Sequence, residues 1–120
     1  MANLKGYQHQ SNIFRAFSHP VRLQILDILK QQEACVCHLT AVIGRPQPYI
    51  SQQLATLRDA GLVTDRRDGT LIYYRLADKR IADILDESKH FLITVLGKDA
   101  VFPPAPPERI ENCPCPKCCE

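Results

Sequence analysis

The chain has 120 residues, 45% hydrophobic and 23% charged, with a formal net charge of +2. That is room for one globular domain of the usual ~100–150 residues and excludes disordered or fibrous material. No apolar run approaches the ~20 residues a membrane helix needs, and the first ten residues lack the apolar core of a secretory signal, so a soluble, cytoplasmic chain is expected. The net charge is too small for a global basic field. Locally, residues 45–80 hold seven Arg or Lys against four Asp, while 81–97 are net negative. A basic stretch of this kind points to a phosphate-facing surface, with a plain solvated face as the alternative.

In chain order, a first helix is predicted over about 7–17, with Ile13, Phe14 and Phe17 on one side. Ser18-His19-Pro20 reads as a helix restart, because proline fits the first helical position, where its missing N–H costs nothing. Val21, Leu23, Ile25, Leu26, Ile28 and Leu29 then mark a largely buried helix ending near Gln31. A short helix over about 35–42 is broken by Gly44-Arg45-Pro46. The next helix, from Gln47 or Pro48 to Ala60, carries Ile50, Leu54 and Leu57 at i, i+4 and i+7, one inward stripe. Its other face is expected to show Gln47, Tyr49, Ser51, Gln52, Gln53 and Thr56, and Gly61 is a natural left-handed terminator.

The period then changes to that of strands. Residues 62–67 and 70–76 flank Asp68-Gly69, a dipeptide suited to a tight hairpin turn. A long helix over about 78–96 follows, ended by Gly97, and the remainder carries six of the nine prolines and resists regular structure. The fold class is therefore mostly α with a β-hairpin wing, a winged helix-turn-helix. Residues 1–97 are read as the DNA-binding domain and 98–120 as a Pro/Cys-rich tail. In a helix-turn-helix the second helix enters the major groove, where amides and hydroxyls can pair with base edges. Gln47, Tyr49, Ser51 and Gln52 are the candidates for that role, with Arg66, Arg67 and Arg75 of the hairpin facing the DNA backbone or minor groove.

The six cysteines are clustered: Cys35 and Cys37, then Cys113, Cys115, Cys118 and Cys119. A disulfide scaffold would spread them along the chain, whereas clustered thiols in a chain without an export signal read as ligands or redox groups. Two thiolates two residues apart at a helix start can converge on one soft cation, since soft ions prefer sulfur. Small buried hydrophobes are the plain alternative for this pair. Cys115-Pro116-Lys117-Cys118 is formally Cys-x-x-Cys, but no βαβ context or nucleophile–base arrangement accompanies it, so no enzyme is expected.

Three segments resemble the ArsR/SmtB-type metal-responsive repressors: Phe17-Ser18-His19-Pro20-Val21-Arg22-Leu23-Gln24-Ile25-Leu26, the stretch from Gln47 to Val63, and Arg67-Asp68-Gly69-Thr70-Leu71-Ile72-Tyr73-Tyr74-Arg75-Leu76. The likeness covers about 12–96, in order. It implies a homodimer, paired through the first and last helices, that represses from a palindromic double-stranded operator and releases it on binding an inducer. Cys35-Val36-Cys37 is similar to the Cys-Val-Cys segment of arsenic- and cadmium/lead-sensing members. A third cysteine found three residues later in some of them is Thr40 here, and the N-terminal cysteines of cadmium sensors are missing from the first 34 residues.

The expected inducer is a thiophilic ion: arsenite, antimonite, cadmium or lead, with zinc compatible. Its remaining ligands would come from the tail, which at ~3.1 Å per extended residue could reach roughly 50 Å from Gly97. A mixed site of Cys35, Cys37 and one or two of the four tail cysteines is the leading reading. The tail could instead chelate a second ion or form a disulfide, and a thiol redox or persulfide sensor of the same fold is the rival function. The family's zinc site on the last helix is expected to be absent. Arg80 stands where its histidine would be, and Ile93 stands three residues after His90.

Overall fold

The computed structural model describes residues 3–104. Five helices and a small sheet follow in the order α1 (Lys5–Phe17), α2 (Pro20–Gln31), β1 (Ala34–Cys35), α3 (Val36–Ile43), α4 (Gln47–Asp59), β2 (Val63–Asp68), β3 (Leu71–Leu76) and α5 (Arg80–Leu96), with a last 3-10 turn at Gly97–Asp99. Helix α2 starts where the sequence predicts. Pro20 takes the first turn and the His19 ring nitrogen Nδ1 accepts from the Val21 amide at 3.1 Å, capping an otherwise unpaired donor. Helix α3 ends at Gly44 in the left-handed region, φ 73°, where a side chain would be strained. This produces the sharp turn into α4, which itself begins with a proline in its first turn.

The inward stripe of α4 is as expected. Ile50, Leu54 and Leu57 are fully buried and join Ile25, Leu26 and Leu29 of α2, Leu39 of α3, and Val63 and Tyr74 of the wing in one core. The outer helices are different. Tyr7 and Phe14 of α1, and Phe91, Ile93 and Val95 of α5, are more than half or about half exposed, an apolar excess that one small core cannot take up.

Three local expectations need correction. The sheet has three strands in the order β1-β3-β2, all antiparallel, because Ala34 and Cys35 pair with Tyr74 and Tyr73 before the chain enters α3. A two-residue strand leaves no periodicity to read. The hairpin turn is centred on Gly69-Thr70 rather than Asp68-Gly69, since Asp68 is already paired with Leu71. Gly69, at φ 63°, takes the first central position. That register puts Ile72, Tyr74 and Leu76 on the core side. Gln53, expected on the outward face of α4, is buried. It stands three residues after Ile50, so it falls on the inward stripe.

Candidate DNA-facing surface and thiol site

The turn at Gly44–Pro46 presents α4 with Gln47, Ser51, Gln52 and Thr56 exposed and Tyr49 half-buried. These amide and hydroxyl groups form one surface poor in carboxylates, suited to the donors and acceptors of base edges. Tyr49 is held rather than free: its hydroxyl lies 3.4 Å from His19 Nε2 and the Arg45 guanidinium sits 5.8 Å from its ring centroid. Because Nδ1 of His19 accepts from the Val21 amide, Nε2 carries the proton and donates to Tyr49.

The orientation of α4 depends on Arg22, a residue with no place among the sequence-predicted site residues. It donates from Nε to the Ala16 carbonyl at 2.7 Å, from Nη2 to the Arg15 carbonyl at 3.2 Å, and from Nη1 to Gln53 Oε1 at 2.9 Å. One guanidinium thus joins the end of α1, the start of α2 and the middle of the recognition helix. The legible signal is Gln53 itself, a polar group at an inward helix position that requires a partner.

The hairpin arginines have different settings. Arg67 is exposed near the tip, and Arg75 donates from Nε to the Thr64 hydroxyl at 3.3 Å. Arg66 is committed: Nε and Nη2 donate to the two carboxylate oxygens of Glu33 at 2.9 and 2.5 Å, and its guanidinium lies 4.6 Å from the Tyr73 ring centroid. The hydrogen bond to Glu33 raises its pKa above the ordinary arginine value. A partner 33 residues away leaves no local trace in sequence.

Cys35 is the N-cap of α3, its Sγ accepting from the His38 amide at 3.3 Å. It is 1% exposed. Its sulfur is joined to that of Cys37 as a disulfide, and the pair packs with Tyr73 and Leu71 in a second, small cluster. The two sulfurs therefore converge at the helix start. Among the described residues, no group of three or more His, Cys, Asp or Glu able to hold a metal occurs. Thr40, at the position of the absent third thiol, has its hydroxyl oxygen buried without a hydrogen-bond partner. Cys113, Cys115, Cys118 and Cys119 lie outside the described residues.

At the last helix, Asp78 is taken up by Arg80. It accepts from the Arg80 amide at 2.8 Å and from the guanidinium at 3.1 and 2.8 Å. The side-chain bond, helped by the amide, lowers its pKa to about 2. His90 is exposed, 3.6 Å from Glu87.

Helix pair, exposed polar recognition face and antiparallel wing together define a winged helix-turn-helix DNA-binding protein. Comparison with known proteins agrees. Residues 19–65 match the family model described as bacterial regulatory protein, arsR family. The chain is 37% identical over 83 residues to the HTH-type transcriptional regulator MJ1325 of Methanocaldococcus jannaschii, covering 68% of this chain and 93% of that one. It is 40% identical over 90 residues to the HTH-type transcriptional repressor SmtB of Mycobacterium tuberculosis, covering 74% of this chain and 63% of that protein's length. Among solved structures, Mb0332 of Mycobacterium bovis, described as a homodimeric winged helix-turn-helix DNA-binding domain, superposes with a TM-score of 0.73 at 30% identity, covering 80% of this chain and 91% of that one.

The chain belongs to the arsR family of bacterial regulatory proteins. Its relatives are transcriptional regulators, not enzymes, and no helix of the described residues is long and apolar enough to cross a membrane.

Proposed function

We propose that the chain is a homodimeric transcriptional repressor that releases its operator when the Cys35–Cys37 pair captures a thiophilic ion: arsenite, antimonite, cadmium or lead, with zinc compatible. The observation that carries the reading is the convergence of the two sulfurs at the start of α3, the helix that packs against α4. Two thiolates fall short of the three or four ligands such ions take, so one or two of Cys113, Cys115, Cys118 and Cys119 complete the site. The exposed apolar faces of α1 and α5 support pairing through those helices. Gln47, Tyr49, Ser51 and Gln52 meet the major groove, and Arg66, Arg67 and Arg75 the flanking backbone. Ion capture shifts the start of α3 against α4. A coupling of ~1–3 kcal/mol, or about 5–150-fold in affinity, is sufficient for derepression.

The joined sulfurs favour a second reading, a thiol redox sensor. Two thiols would give up two protons and two electrons to a peroxide, which leaves as water and the corresponding alcohol or as two waters. An anaerobic absorbance titration of the reduced chain with cadmium, lead and arsenite separates the two. Saturation of sulfur-to-metal charge-transfer bands at one ion per protomer, weakened by truncation before Cys113, is the result expected. No saturable binding by any of the three would contradict ion sensing and leave the redox reading.

A further inference from the structure

The sulfur pair is connected to the wing as well as to α4. Cys35 pairs with Tyr73 and Tyr73 with Arg66, so the three stand abreast across the sheet and project to one face. Tyr73 is 3% exposed and packs on Cys35, with Cys37 beside it. Its ring carries the Arg66 guanidinium. Glu33, two residues before Cys35, grips the Nε–Nη2 edge of that guanidinium with both carboxylate oxygens. The parallel N–H pair of that edge also fits a phosphate, as does the Nη1–Nη2 edge, whose Nη1 lies 3.9 Å from Asp68. Glu33 and a DNA phosphate are therefore competitors for the same two donors.

We infer that Tyr73 is a positioning residue that passes the state of the Cys35–Cys37 pair to the wing, and that Arg66 is exchanged between Glu33 and the operator phosphate accordingly. This rests on the proposed function above. With the sulfurs drawn together, as here, they seat the Tyr73 ring beneath Arg66, and Glu33 keeps the charge away from DNA. When the pair opens, the ring loses that seat and Arg66 is released to a phosphate. Arg75, bonded to Thr64, and Arg67, exposed near the tip, serve both states.

The test uses the full chain carrying Cys113→Ser, Cys115→Ser, Cys118→Ser and Cys119→Ser, so that only the pair reacts. Diamide closes it, taking two hydrogens from the two thiols and becoming the hydrazine, and free-thiol titration confirms closure. The first readout needs no DNA: hydrogen exchange of the Arg66 Nε–H, assigned by its loss in Arg66→Lys. Closure should slow it about tenfold or more, the scale of a charge-assisted hydrogen bond. Tyr73→Phe should keep that response, and Tyr73→Leu and Glu33→Gln should abolish it while their thiols still close.

The second readout is affinity for a duplex selected from a random pool by the reduced protein. Its logarithmic salt slope should fall by about 0.9 per protomer on closure, as Arg66 gives up one phosphate, and should not change in Glu33→Gln. Equal Arg66 exchange in both states, or a response undiminished in Tyr73→Leu and Glu33→Gln, would overturn the inference. If Tyr73→Leu does not fold, Glu33→Gln decides alone. Exchange that follows the pair without any change in DNA affinity would support the Tyr73 link and contradict the repressor reading. Affinity that follows the pair while Arg66 does not would do the reverse.

Discussion

The recognition helix and the outer face of the wing rest on apolar clusters of very different size. Ile50, Leu54 and Leu57 fix α4 in a core contributed by α1, α2, α3, the wing and α5, and Arg22 adds three hydrogen bonds that hold it to the end of α1. The outer face of the wing rests on two buried residues, Cys35 and Tyr73, with Cys37 and Leu71 beside them. Fully burying one large aliphatic side chain contributes ~1.5–3 kcal/mol, so moving α4 as a body means disturbing many such contributions at once. The small cluster can rearrange at the cost of one or two. The element proposed to read bases is therefore firmly held, and the Cys35–Cys37 pair sits in the part of the fold that a single chemical event can shift.

The largest expected effect breaks the rigid side. Leu54→Ala should cost ~2–5 kcal/mol through removal of a fully buried side chain and the cavity left behind, read as a lower midpoint in urea, and should weaken operator binding with it. Arg22→Ala should cost ~1–3 kcal/mol, since it strands the buried Gln53 amide and takes the Nε donor from the Ala16 carbonyl. Replacing Gln53 by Leu in the same background should recover part of that loss, because an apolar pair leaves nothing unsatisfied there. Gln52→Ala should leave the urea midpoint unchanged and cost ~1–3 kcal/mol of discrimination at one base-pair position, measured by competition among operator variants.

The smallest effect sharpens the contrast at the start of α5. Asp78 has its pKa lowered from 3.8 to about 2 by the Arg80 hydrogen bonds. A lowered carboxylate pKa means the folded state holds the charged form better than the unfolded one. The contribution is therefore complete above about 3.8 and is lost as pH falls through about 2. Asp78→Asn should remove this pH dependence from the helical signal of α5, together with the small contribution that the exposed pair makes near neutral pH.

Much of the fold is legible in the sequence because it is periodic. The stripe Ile50, Leu54, Leu57, the proline at the head of α2 and Gly61 after α4 each state a local preference that the core then confirms. What escapes is non-periodic or distant. Strand β1 is two residues long, the hairpin turn lies one residue further on, and Gln53 faces inward because its spacing from Ile50 is i+3. The exposed groups of α4 and the convergence of Cys35 and Cys37 can be read from spacing. The ties that set their energetics, Arg22 to Gln53 and Arg66 to Glu33, span 31 and 33 residues and follow only from the packed chain.

The central claim is that the state of the Cys35–Cys37 pair controls the grip on DNA. It is tested most directly by operator affinity of the full chain, reduced and anaerobic, without ion and with cadmium, lead, arsenite or antimonite in turn, beside the Cys35→Ser, Cys37→Ser double variant. The account predicts a fall of about 5–150-fold in the parent chain with at least one of the four, and no change in the variant, whose affinity should match that of the reduced parent. An affinity in the parent indifferent to all four ions, or a fall of the same size in the variant, would contradict it.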